Sequence, residues 1–209
     1  TISLYLQEQG HEVYGFDLHE SKLIKSFAVN AFDTETIGRV IKEGNYDTVI
    51  NCIGVLNQFA ENNHALAAFL NSYFPHFLDK TTEGTDTQVI HMTTVCVFSG
   101  TKGSYTEHDL RDGETFYDRS KALGRVNDEK NITLRNSIVG PDINPNGIGL
   151  LNWFLHQEGN HQSAGGQCRC VGSNLAVLLA DGTAVDKIDE VKGLVHQFCV
   201  GLVDFVGSL

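Results

Sequence analysis

The chain has 209 residues, enough for one domain with room for a small additional lobe. Its 41% hydrophobic and 9% aromatic residues can build a sizeable core, which excludes a disordered tail protein. Fifteen basic against 26 acidic residues give a formal net charge of −11, an acidity that repels nucleic-acid phosphates and anionic membrane surfaces.

The first apolar positions, Ile2, Leu4, Tyr5 and Leu6, read as the end of a helix that stops at Gly10. Glu12 to Asp17 reads as a short strand ending in an acid, and Ser21 to Ser26 as helical. Ile37 to Lys42 is a second helix that closes at Gly44-Asn45. Thr48 to Ile53 is a β-branched, uncharged run, the pattern of a buried strand. Asn57 to Lys80 is a long helical region, with Pro75 expected to bend or interrupt it. Within it Phe69, Tyr73 and Phe77 form a stripe expected in the core, while His64 and His76 read as surface or capping residues.

Gln88 to Thr94 is a second buried strand, followed by Val95 to Phe98 and a turn at Ser99-Gly100. A long loop, 101–116, carries the acids Glu107, Asp109 and Asp112, expected to be solvated. Tyr117 to Asn127 is helical, Ile132 to Asn136 is a strand, and Leu150 to His156 is helical. Alternating helices and strands predict an α/β fold, a doubly wound parallel sheet. Such sheets bind ligands beyond the carboxyl ends of their strands, which singles out Asp17, Asn51, Thr94 and Asn136.

Five scattered cysteines suit a reducing compartment, and no apolar run approaches the ~20 residues of a membrane span. With no signal-like start, a cytoplasmic location is expected. Cys168-Arg169-Cys170 lacks nearby partner ligands, so no metal site is expected. Asn131-Ile132-Thr133 fits a glycosylation acceptor, but no secretory signal accompanies it.

The chemically sharpest pattern is Tyr117-Asp118-Arg119-Ser120-Lys121. Residues four apart share a helix face, and an ammonium beside a phenol lowers the phenol's pKa from about 10 towards neutrality. A tyrosine so tuned can exchange a proton with an alcohol or alkoxide. Taken alone, such a pair is common on exposed helices. Here a buried strand ending in Thr93-Thr94 lies upstream, where a hydroxyl can donate to a substrate carbonyl.

These motifs together resemble the extended short-chain dehydrogenase/reductases, and among them the dTDP-4-dehydrorhamnose reductase family. Thr93 to Gly100, Gly103 to Asp109, Tyr117 to Lys121 with Gly124, and Leu134 to Gly140 follow the family's order and spacing. Val49 to Cys52 and Leu70-Asn71 with Pro75 resemble its strand before the cofactor loop and the helix after it. The resemblance implies an NAD- or NADP-binding Rossmann-like domain over residues 1–159, reducing a 4-keto group on a nucleotide-activated deoxysugar. Tyr117 would be the general acid, Lys121 would tune it and bind the nicotinamide ribose, and Thr94 would hold the carbonyl. Asp17, Asn51 and Gly54, with Tyr117 and Lys121, would border the cofactor, and Asn136 the substrate. The implied partner is a nucleotide sugar, with neither nucleic acid nor membrane, and a homodimer is compatible with the family. Related epimerases and dehydratases, and a non-catalytic relative that has lost cofactor binding, are the alternative functions.

Two large departures and one small one accompany the resemblance. The family's first strand and Gly-rich phosphate loop are expected upstream of Thr1, making this a piece of a longer protein. Residues 160–209 match no family pattern, as true divergence or a shifted reading frame would produce. Val95 replaces an aspartate of the family pattern.

Overall fold

The computed structural model describes residues 2–136 and the strand Leu179–Ala180. The reading of Leu150 to His156 as a helix, the boundary between 159 and 160, and the Cys168/Cys170 pair lie outside the described residues.

The elements run α1 (Ile2–Glu8), β1 (Tyr14–Asp17), β2 (Lys25–Ala28), α2 (Thr34–Gly44), β3 (Thr48–Asn51), α3 (Asn57–Asn62), α4 (His64–Ala67), a π-helical turn (Ala68–Tyr73), α5 (Phe74–Thr81), β4 (Gln88–Thr94), α6 (Phe116–Leu123), β5 (Ile132–Asn136) and β6 (Leu179–Ala180). Strands β1 and β2 form a parallel pair. Strands β3, β4 and β5 pair in parallel in that order, and β6 adds antiparallel to β5. The fold is α/β and Rossmann-like, as the alternation of elements predicts.

Local chemistry sets most boundaries. Asp33 caps α2 by accepting from the Thr36 N–H, and Asn45 ends the helix in the left-handed conformation at φ 46°. Ile37 and Ile41, one turn apart, then bury against Phe74, Leu78, Val89 and Val126. On the opposite face of the sheet, Met92, Ile132 and Leu134 pack with Ile50, Ile90 and Ile2.

Two expectations are corrected and a third is extended. The segment read as a helix over Ser21 to Ser26 instead leads into β2, because pairing with β1 outweighs weak local preference. Lys25 bonds Glu12 across that pair, and Phe27 packs on Phe16. The long helical region is interrupted at Pro75 as expected, where the π-helical turn gives way to α5, and also breaks at Asn63, whose side chain caps α4. Pro75 sits in the first turn of α5, where a missing N–H is tolerated. Of the aromatic stripe, Phe69 and Phe77 are half-buried, but Tyr73 is 52% exposed and lies between them as a surface stack.

Helix α6 lies against the π-helical turn at unusually close range. A Cβ on Gly124 would stand 1.9 Å from the Asn71 carbonyl oxygen, so only glycine fits there. Ser72 Oγ donates to the Ser120 carbonyl, Asn71 Nδ2 donates to Ser120 Oγ, and His76 Nε2 meets the Leu123 carbonyl at 2.8 Å. His76 is thus a capping residue, as its sequence position suggested, and it caps a neighbouring helix.

Buried polar side chains pin the sheet. Asn131 Oδ1 accepts from the Val89 N–H, while its Nδ2 donates to Asp79 and Asp128. The acceptor-like Asn131 is therefore 1% exposed and fully engaged at the amino end of the sheet. On β3 and β4, Asn51 Nδ2 lies 3.1 Å from His91 Nδ1, a cross-strand pair in register. Burial, with a contribution from the Lys121 charge, pushes the His91 imidazole down to about 3.

Two stability effects are expected. Gly124→Ala forces α6 off the Asn71 carbonyl and costs roughly 2–3 kcal/mol in urea denaturation. His91 takes up a proton in the unfolded chain near its ordinary value of 6.5 but in the folded chain only at about 3, so its contribution is present above 6.5 and is lost as pH falls through that window. Between about pH 7 and pH 4.5 the wild type should lose on the order of 2 kcal/mol more stability than His91→Asn. Equal losses in urea melts at the two pH values would contradict this.

Candidate active site

The residues selected from the sequence collect at the carboxyl ends of the strands. Asp17 ends β1, Asn51 ends β3, Thr94 ends β4 and Asn136 ends β5. Thr94 and Asn136 are register partners on adjacent strands.

The loop after β3, Cys52 to Leu56, is held from two directions. Asn51 Oδ1 accepts from the Ile53 N–H at 3.0 Å. Asn71 Oδ1 accepts from the Val55 N–H at 2.8 Å, and its Nδ2 donates to the Val55 carbonyl at 3.0 Å. The Asn51 side chain is therefore committed to shaping the loop and to His91, and the loop backbone at Gly54 borders the site. Asn71 carries no role in the sequence reading, although one signal marks it: an amide on the buried face of an otherwise apolar helix.

Helix α6 presents the tyrosine and the lysine to this loop. Its start is fixed by a capping box, in which Thr115 accepts from the Asp118 N–H and Asp118 accepts from the Thr115 N–H. Tyr117 is buried with Val55, Ala60, Ala67 and Leu70, and Cys96 packs against the same cluster. Lys121, one turn on, is buried beside Gly54. A Cβ on Gly54 would lie 2.2 Å from Lys121 Nζ and 3.0 Å from Asn71 Oδ1. Lys121 thus stands against Gly54, and Tyr117 shares an apolar cluster with the next residue of the loop, Val55.

Lys121 has no carboxylate partner among the described residues. Burial pushes its ammonium down to about 8, which leaves it mostly charged at neutral pH. Cys52, close enough to feel that charge, is pushed by burial up to about 12 and stays a thiol. Among the described residues, the site accordingly holds a desolvated cation with no protein anion paired to it. Thr94 Oγ1 accepts from the Cys96 N–H at 3.1 Å, which leaves its hydroxyl hydrogen to donate.

The loop before α6 is at the surface, as expected for its acids, and two of them also organise it. Asp112 accepts from both the backbone and the hydroxyl of Ser99, and Asp109 pairs with Lys102 and accepts from the Thr106 N–H. Tyr105 stacks on Phe98, whose ring also carries Arg135. Among the described residues, no cluster of His, Cys, Asp or Glu is arranged to hold a metal ion, and no helix is long and apolar enough to cross a membrane.

Solved structures with the same fold include a hypothetical dTDP-4-dehydrorhamnose reductase from Sulfolobus tokodaii, at 25% identity and TM-score 0.54, with 59% of this chain and 45% of that chain covered. The UDP-Glc/GlcNAc 4-epimerase of Campylobacter jejuni matches at 16% identity and TM-score 0.53, covering 59% of this chain and 42% of that one. The Bordetella bronchiseptica enzyme WbmG, solved in complex with NAD, matches at 15% and 0.51, covering 59% and 43%. This chain thus spans less than half the length of these structures. No curated protein sequence matches it. The family model of the RmlD substrate binding domain matches residues 2–139, about two thirds of the sequence and nearly all of the described core. On that match, the chain belongs to the RmlD substrate binding domain family.

Proposed function

We propose that the protein carrying this chain reduces a 4-keto group on a nucleotide-activated deoxysugar, with NADH or NADPH as the hydride source. The observation that carries this reading is the buried Lys121 ammonium, without a carboxylate partner among the described residues, set one helical turn from a buried tyrosine and against a glycine. Burying a cation is costly unless something pairs with it. A dinucleotide brings ribose hydroxyls to such a group, so the donor set suits the nicotinamide half of the cofactor. The fold relatives support the same reading, since one is described as a hypothetical dTDP-4-dehydrorhamnose reductase and another was solved in complex with NAD.

When bound, the nicotinamide supplies the hydride. The remaining steps fall to this chain. Thr94 donates its hydroxyl hydrogen to the substrate carbonyl and fixes its orientation. Tyr117 delivers its phenolic proton to the oxygen as negative charge develops there. Lys121 stabilises the phenolate left behind and holds the ribose. Asn136, beside Thr94 at the end of β5, borders the sugar. Gly54 and the loop shaped by Asn51 line the cofactor side, and Asp17, which ends β1, takes the ribose hydroxyl in this reading. The proposed setting is the cytoplasm, where nucleotide sugars and reduced dinucleotides are both at hand.

Tyr117→Phe should lower kcat for dTDP-4-keto-6-deoxysugar reduction by about 10²–10⁴-fold while leaving NADPH affinity nearly unchanged. Loss of reduced-nicotinamide absorbance reads the rate, and full retained activity would defeat the mechanism. Lys121→Met should weaken NADPH binding in a fluorescence titration. In the wild type that binding should also weaken as pH rises through about 8, where free Lys121 gives up its charge. The Met variant should lack this pH dependence.

A further inference from the structure

Helix α6 must place Tyr117 to within a fraction of an ångström, yet its own sequence supplies only part of its first turn. Thr115 and Asp118 satisfy each other's backbone N–H groups. The N–H of Tyr117 itself has no acceptor within that box. It donates instead to Glu61 Oε1 at 2.9 Å, from a residue 56 positions earlier in the chain.

Glu61 is well placed to act as a fixed point. It is half-buried on α3, next to Ala60, which is fully buried in the same cluster as Tyr117 and Val55. Helix α3 begins immediately after the Gly54 loop, so it is continuous with the cofactor-side wall of the site. Three residues further on, the His64 ring stacks on Phe116 at 4.0 Å and an interplanar angle of 11°. The first turn of α6 is thereby gripped by two side chains, one on its backbone and one on the residue before the tyrosine.

We propose that Glu61 is a positioning residue for Tyr117, and that its carboxylate oxygen sets the tyrosine against the Gly54 loop by accepting the Tyr117 N–H. This rests on the reading of Tyr117 as the proton donor. The acceptor oxygen matters more than the charge. Asp118 already places a carboxylate in the first turn of α6, whereas Glu61 reaches the Tyr117 amide itself. A small displacement of the phenol costs rate without costing affinity, because the dinucleotide is held by Lys121 and the loop.

Three variants test this. Glu61→Gln keeps an oxygen at the same reach and should stay within about threefold of the wild-type kcat. Glu61→Ala should lose about tenfold or more in kcat with little change in KM for NADPH. Glu61→Asp keeps the charge at the helix N-terminus but withdraws the oxygen by one methylene. It should behave like Glu61→Ala even if the alanine variant folds poorly. Amide hydrogen exchange at Tyr117 provides a readout independent of turnover. Protection there should fall in the Ala and Asp variants and persist in the Gln variant. Unchanged kcat in both Ala and Asp, equal losses in Gln and Ala, or unchanged Tyr117 protection would each overturn the proposal. A wild type that binds no NADPH and reduces no keto-sugar would overturn the function above, while the exchange pattern would still report whether Glu61 holds the tyrosine.

Discussion

The Asn71 side chain makes three hydrogen bonds that join the parts of the site. Its amide holds both backbone groups of Val55 and the hydroxyl of Ser120, and so sets the loop that borders Lys121 and the helix that carries it. Buried amides are costly unless satisfied, and fully satisfied ones specify a single arrangement. The π-helical turn at Ala68–Tyr73 and the absence of a side chain at Gly124 let the two helical layers approach closely enough for those bonds to form. Wider turns of this kind recur at functional positions in helices.

Against that rigid frame stands a group that is not at ease. Lys121 is buried with a thiol, an amide and a glycine for neighbours, none of which balances its charge. The apolar clusters on both faces of the sheet and the engaged polar side chains at its amino end supply the stability that tolerates this. At the carboxyl end of the strands, satisfied amides at Asn51 and Asn71 surround a cation that no described carboxylate pairs with.

Much of this was legible in the sequence. The buried strands at Gln88–Thr94 and Ile132–Asn136 follow from continuous apolar and β-branched residues, and both have the ends expected of them. Tyr117 and Lys121 were legible because a four-residue spacing has one meaning on a helix. The β2 strand was not, since Lys25 to Ala28 is stabilised by a neighbour 11 residues earlier in register rather than by its own pattern. Asn71 and Glu61 were not assigned roles because their partners lie 16 to 56 residues away, and no local rule connects them. The acids of the 101–116 loop read correctly as surface groups, but the bond from the Ser99 backbone to Asp112, 13 residues away, was not legible.

The engagement of Asn131 bears on how this protein could be produced. Its amide nitrogen reaches two carboxylates and its oxygen holds the first residue of the central strand's buried stretch. Eukaryotic secretory cells attach sugars to Asn-x-Thr sequences on surface-accessible chain. A glycan installed here before folding would occupy the space in which β4 and β5 are locked together, so a secreted preparation would be trapped short of its native state where a bacterial one would not.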